Sequence, residues 1–393
     1  MIVRLSIARR GAATRVPALL AGAVGVVGVV GIALVIGGWL ARAGSAAHAS
    51  ADGAPRGLRP NVAAPAWAAP QAMPLPAAAR PVPAPPAAEP AVCGLEKAAA
   101  SADPHEAVPA PQRAEAEKAL EQRLLRHPDP KVQALAVFFT PESDPAERTR
   151  RRDRLALAAA ASADGSLYAM ALAACRPDDS GDAGNACAML SLAQWARLEP
   201  ANGVPWLQLA AEARRRGDAG GEAEAMHRAA LASRFDARWG SFAELVDRAL
   251  PPDALGWQHL FLMVQAVGVQ AALTAPEYQE MLEFCRPERL DANRRQTCDA
   301  LARGLLDRGT TLMDHGMAGA LGRRLGWPAE RLQALEQERD AYTAVGLRQA
   351  LSITMDCAGV QRTRAWLLDM SRLGELGAAR RAVALGSAAR APL

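Results

Sequence analysis

Six cysteines are the residues of this 393-residue chain whose type and spacing most directly suggest chemistry. Cys175-Arg176-Pro177 precedes Cys187 across a polar turn, and Cys285-Arg286-Pro287 precedes Cys298 in the same way. Proline cannot continue a helix and pushes the residue before it towards extended geometry, so each Cys-Arg-Pro should reverse the chain and let the two thiols meet. Disulfides Cys175–Cys187 and Cys285–Cys298 are expected, and by exclusion Cys93 and Cys357 are left to join the two ends of the domain. Metal ligation is the alternative, but zinc sites use close pairs such as Cys-x-x-Cys or histidines at fixed offsets, and the chain has neither.

Other reactive side chains form no constellation. His48, His105, His127, His227, His259 and His315 are scattered, without a His-Glu-x-x-His helix or a serine nucleophile elbow nearby. His227, beside Met226, reads as a packing side chain of a helical hairpin. Gly217 and Gly220-Gly221 lack the lysine and hydroxyl of a phosphate loop. Asp178, Asp179 and Asp182 crowd the first cysteine turn without the spacing of a helix-loop-helix calcium site. Paired acids elsewhere alternate with arginines at helical intervals, as exposed ion pairs do. No catalytic, cofactor or metal residue is therefore assigned, and whether the chain is an enzyme stays open, with a binding role favoured.

The tryptophans are the remaining candidates. Trp195, Trp206, Trp239, Trp257, Trp327 and Trp366 are large enough to anchor a core, and any on an inner curve would be a partner hot spot. Trp206, Trp239 and Trp257 are taken as the possible partner-binding set.

The elements that carry these residues follow from patterning. Val16 to Leu40 is free of charge, enough to cross a hydrocarbon core of about 30 Å. Arg4, Arg9, Arg10 and Arg15 precede it with no acid, which sets residues 1–15 in the cytoplasm and residues 16–40 as a signal anchor. Ala47-His48-Ala49 before Ser50 leaves a cleaved signal peptide as the competing reading, although such peptides use a shorter apolar run. Either way the rest of the chain is exported, so a single-pass protein of a bacterial inner membrane with a periplasmic domain is expected.

The formal charge of +4 is supplied wholly by those four arginines, and the remainder is neutral. That leaves no basic surplus for nucleic acid. Residues 41–92 form a Pro/Ala-rich linker. Eleven prolines lie between Pro55 and Pro90, and at roughly 3.1 Å per residue an extended spacer would reach up to about 110 Å. A passive tether is the plainer role, a proline-rich docking ligand with Trp67 the other.

Residues 93–393 read as one all-α domain, with aromatics at 4% and few β-branched runs. Helices are expected near 112–126, 130–139, 144–162, 165–175, 184–198, 204–216, 219–233, 239–249, 256–273, 276–285, 291–308, 310–325, 328–355, 359–373 and 375–387.

The clearest unit is Leu198-Glu199-Pro200-Ala201-Asn202 running into Trp206, Leu209, Ala210 and Ala213 on one face. A turn at Gly217-Asp218 follows, then a second face at Ala223, Met226 and Ala230. Residues 169–234 thereby resemble a tetratricopeptide repeat, a 34-residue helix-turn-helix unit. Ala210 and Ala213 depart from its glycine and tyrosine, Glu222 from its small residue and Arg234 from its closing proline. One repeat before Trp206 stands Leu172, and that earlier unit keeps only its second helix, with Ala188, Leu192 and Pro200. A looser pair at 291–325 would turn Leu301, Leu305 and Leu306 inward against Leu321 and Leu325.

The resemblance implies an irregular α-solenoid whose stacked pairs bind a protein or peptide partner in the envelope. An all-helical hydrolase of glycans or peptides using two carboxylates is the alternative. The partner and the oligomeric state are not legible.

Overall fold

A computed structural model describes residues 92–95, 106–139, 145–176, 185–273 and 277–388. The expected tail, membrane span and linker up to residue 91 lie outside these residues. So do His48, His105, Trp67 and the turn with Asp178, Asp179 and Asp182.

Among the described residues the protein is all-helical, without a strand. The helices are α1 (Ala110–Arg126), α2 (Pro130–Ala134), α3 (Pro145–Ala160), α4 (Gly165–Ala174), α5 (Leu192–Leu198), α6 (Gly203–Arg215) and α7 (Ala219–Leu231). After them come α8 (Ser241–Ala249), α9 (Gly256–Leu273), α10 (Tyr278–Phe284), α11 (Ala292–Arg308), α12 (Leu312–Leu325), α13 (Ala329–Leu351) and α14 (Cys357–Ala388). One short 3-10 turn, Ala186–Met189, contains Cys187, and another, Pro287–Arg289, starts on the proline of the second Cys-Arg-Pro.

Local chemistry sets most starts. Asp129, Asp164, Ser191, Asn202, Asp218 and Asp291 each accept a hydrogen bond from an amide in the first turn of the helix that follows. Thr311 and Asp314 form a reciprocal capping box on α12.

Two cores result. The first and larger gathers α1, α2, α3, α4, α8, α9 and α14, the second gathers α6, α7, α10, α11, α12 and the start of α13, and two small clusters lie beside them around Cys187 and around Tyr342. By length and composition α9 begins a stretch, Gly256–Phe284, apolar enough to cross a membrane, and no other is found among the described residues. Its Trp257, Leu260, Met263 and Ala266 are buried in the first core, so here that composition makes a central helix.

Packing does not follow chain order. Within the second core α6 lies along α7, α7 on α11, α11 on α12, α12 on α13, and α13 on α14, whose other contacts are α8 and α9. The pair α8–α9 is thus not the next layer on α7. The segment 232–240 carries the chain away while leaving Phe235 buried behind it in the second core.

Helix junctions meet along one seam. Gly203 N donates to Arg234 O at 2.8 Å, Arg234 N to Ala201 O at 3.1 Å, Phe235 N to Arg308 O at 3.1 Å, and Leu376 N to Thr310 O at 3.0 Å. The fully buried Asn202 side chain bridges it, accepting from Val204 N and Asp236 N and donating to Asp236 O. Gly203 sits so close to Phe235 that a Cβ would stand 2.3 Å from the ring. Residues 359–373 and 375–387, expected as two helices, run as one element broken at Gly374, which has φ 73°.

The face expected for the clearest hairpin is rotated. Leu207, Ala210, Ala211 and Ala213 are buried, whereas Leu209 and Trp206 lie at the margin. On α7, Met226 and Ala230 are buried as expected and Ala223 is exposed. The reason is that α6 must also receive α10, which a single isolated hairpin does not reveal. In the later pair Leu301, Leu305 and Leu321 are fully buried, with Leu306 and Leu325 at the edge of the same core.

Cys93–Cys357, Cys175–Cys187 and Cys285–Cys298 are disulfides. Cys175 and Cys285 stand at helix C-termini, as the Cys-Arg-Pro pattern requires. Cys298 lies inside α11.

Candidate functional site

The first turns of α11 are fixed from both sides. The Asp291 carboxylate accepts from Arg294 N at 2.8 Å, and Cys298, fully buried, ties the helix to the end of α10. Two successive side chains, Arg294 and Arg295, therefore leave a rigid support about 100° apart around the helix. The Arg294 guanidinium lies 4.7 Å from the Phe284 ring centroid, and Arg295 Nη1 donates to Leu325 O at 3.3 Å.

Each arginine borders a shallow groove. One, about 350 Å³, lies between α7 and α11, with Glu224 and His227 on one wall, Arg294 and Thr297 on the other, and Phe284 also lining it. The second, about 340 Å³, lies on the opposite flank of α11 and is lined by Arg295, Gln296 and Asp299 together with Leu325 and Trp327. The N-terminal half of α11 is the saddle between them.

The acids beside these grooves are already engaged. Glu224 pairs with Arg228 at 2.7 Å, and Asp299 pairs with Arg303 at 2.7 Å while accepting from Trp327 Nε1 at 2.9 Å. Arg331 is stacked 3.5 Å from the Trp327 ring centroid. Arg294 and Arg295 have no carboxylate partner among the described residues. Two guanidinium groups without an ion-pair partner thus stand where the two grooves adjoin, with the Asp291 carboxylate at the start of the same helix.

Carboxylates with altered acidity occur elsewhere and serve the fold. Asp314 Oδ1 accepts from the Tyr278 hydroxyl at 2.5 Å, and Oδ2 accepts from Thr310 N, Thr311 N and Thr311 Oγ1 within 2.9 Å. Burial raises the Asp314 carboxyl despite these donors, and it raises the Tyr278 hydroxyl as well. Glu375 accepts from Leu312 N at 2.8 Å, and burial, reinforced by the neighbouring Asp314, pushes its carboxyl up to about 7. Both carboxylates accept from amides at the start of α12, and neither group lines a groove.

Burial also works to raise Asp247. Hydrogen bonds from His259 at 3.1 Å and Arg364 at 2.6 and 3.0 Å overcome it and hold the carboxyl at about 2. Glu199, buried between Trp195, Arg234 and Arg238, ties α5 to the segment before α8. All six cysteines are bonded, so none is a free thiol. Among the described residues no group of three or more His, Cys, Asp or Glu is placed to hold a metal.

The expected tryptophans are not brought together. Trp257 is only 2% exposed and belongs to the first core, because α9 is covered along nearly its whole length; it is no surface anchor. Trp239 packs on the margin of that core. Trp206 lies at the margin of the second core and donates to Pro200 O at 3.1 Å, with Arg228 5.9 Å from its ring. Through the Arg228–Glu224 pair Trp206 adjoins the α7–α11 groove without lining it. His227, expected to pack inside the hairpin, is exposed on the groove wall because the buried stripe of α7 passes through Ala225, Met226 and Ala229.

Sequence reasoning passed over Arg294, Arg295 and Phe284. A signal was present. Arginines in the first turns of a helix oppose the positive end of its dipole, a cost of several tenths of a kcal/mol each that the fold does not require. No family model, no curated protein and no solved structure matches the chain.

Proposed function

We propose that this chain is a membrane-tethered helical-repeat protein of the bacterial envelope whose periplasmic domain binds a segment of another protein on the α11 saddle. The paired shallow grooves flanking α11, with two arginines unpaired by carboxylates, carry the reading. Open grooves between successive helices suit a chain laid across them, and their polar walls fix its register. The stacking of α6, α7, α11 and α12 is consistent with the tetratricopeptide resemblance, with α8 and α9 as an excursion from the array. The uncharged run 16–40 and its flanking arginines support the tether, and disulfides suit an oxidising compartment.

The test is site-specific photocrosslinking in the producing cells. A photoreactive residue at Thr297 or His227 is expected to give a discrete adduct that the same residue at exposed Gln122 on α1 does not give. Identical patterns at the three positions, or no adduct at any, would remove the reading. Retention of the full chain in the membrane after alkaline extraction, against release of a chain lacking residues 1–45, tests the tether separately.

A further inference from the structure

We infer that the segment bound on this saddle is acidic and extended, crossing α11 so that its carboxylates meet Arg294 and Arg295 while apolar side chains on either side enter the two grooves. The inference rests on the binding role proposed above and adds the chemistry of the partner.

Charge complementarity selects the occupant. Glu224 and Asp299 in the grooves are ion-paired with Arg228 and Arg303, and Asp291 at the helix start accepts from Arg294 N, so the charges on the saddle that lack an ion-pair partner among the described residues are the guanidinium groups of Arg294 and Arg295. A guanidinium has a planar fork of donors suited to a carboxylate. Arg294 is held over Phe284 and Arg295 against the α12 carbonyl end, so both are partly preorganised and lose less side-chain freedom on binding.

The grooves supply the rest of the recognition. Ala223 and the rim of the buried Phe284 line the first, and Ala292, Leu325 and the edge of Trp327 line the second, so each offers a small apolar surface beside a polar wall. A helix with its side chains is about 10 Å across, and an extended chain advances about 3.3 Å per residue. Roughly three to five residues therefore separate the two apolar anchors, with the acids between them. A lone small anion would use the arginines and leave both grooves empty; an extended peptide uses all of them.

The experiment is selection of a random 12-residue peptide phage library on the full chain held in lipid nanodiscs, followed by anisotropy with the selected peptides. Peptides enriched in Asp and Glu between apolar residues are expected. Their affinity should fall about tenfold or more in R294A/R295A, fall with added salt, and stay unchanged in R126A on α1. In R294E/R295E the selection should invert towards basic peptides. Circular dichroism melts of the variants serve as the folding control.

Neutral or basic peptides from the wild-type chain, or acidic ones indifferent to R294A/R295A, overturn the inference while leaving a binding role in place. If no peptide is selected and photocrosslinking at Thr297 is also silent, the binding role itself fails.

Discussion

Asp247 and Glu375 are both carboxylates drawn out of water, yet their surroundings shift them in opposite directions, and each shift is a statement about stability against pH. Asp247, held at about 2 by His259 and Arg364, contributes stability that is present above its ordinary value of 3.8 and lost as pH falls through about 2. D247N should therefore cost about 2 kcal/mol at pH 7 and almost nothing near pH 2, as read from urea titrations. Glu375 behaves the other way. Its carboxyl is raised from 4.5 to about 7, so the stability it allows is full below 4.5 and declines as pH rises through 7. Between pH 4 and pH 8, E375Q should gain about 2–4 kcal/mol relative to the parent chain. A constant difference across that range would show that the carboxyl does not ionise where its surroundings imply. Neither residue was distinguishable in the sequence, because what matters is a donor more than a hundred positions away for Asp247 and the N-terminus of α12 for Glu375. The cysteines were legible, since Cys-Arg-Pro fixes local chain direction within a dozen residues.

At the scale of the element, helix existence was readable from capping residues and breakers, and most ends fall within a few residues of expectation. Which face is buried was less readable. The stripe of α6 turns on whether α10 also packs there, and α10 comes more than sixty residues later. The seam of junctions supplies a sharper test. Gly217 and Gly374 share φ 73°, but a Cβ at Gly217 meets nothing within 4 Å, whereas at Gly374 it would stand 2.7 Å from Thr310 Cβ. G217A should cost about 1–2 kcal/mol for the left-handed backbone alone. G374A should cost more, about 2–5 kcal/mol, because its ψ of 167° lies in a region open in practice only to glycine and the α14 break is also pressed against the α11–α12 junction. Chemical denaturation of the two variants gives the difference, and equal costs would mean that the α14 break and the seam both yield without penalty. The saddle on α11 belongs to this scale too. Its arginines were visible in sequence, but the grooves they border need α7 from one side and the end of α12 from the other.

For the whole molecule, the order of packing separates what is near in sequence from what is near in space. The pair α8–α9 follows α7 in the chain but joins the first core, and α11 takes its place in the second. A repeat read along the sequence would have stacked them consecutively. The Cys93–Cys357 bond adds a covalent counterpart to this arrangement, because it joins positions 264 residues apart. The stretch between them is a closed circle, and the other two disulfides are small loops upon it. One protease cut anywhere from residue 94 to residue 356 opens the circle without dividing the molecule. A singly nicked chain should therefore keep its full mass on a non-reducing gel and fall into two fragments once thiol is added. Two fragments without reductant would place those two sulfurs in separate bonds. In a compartment rich in proteases, a domain so closed survives its first wound as a single covalent body.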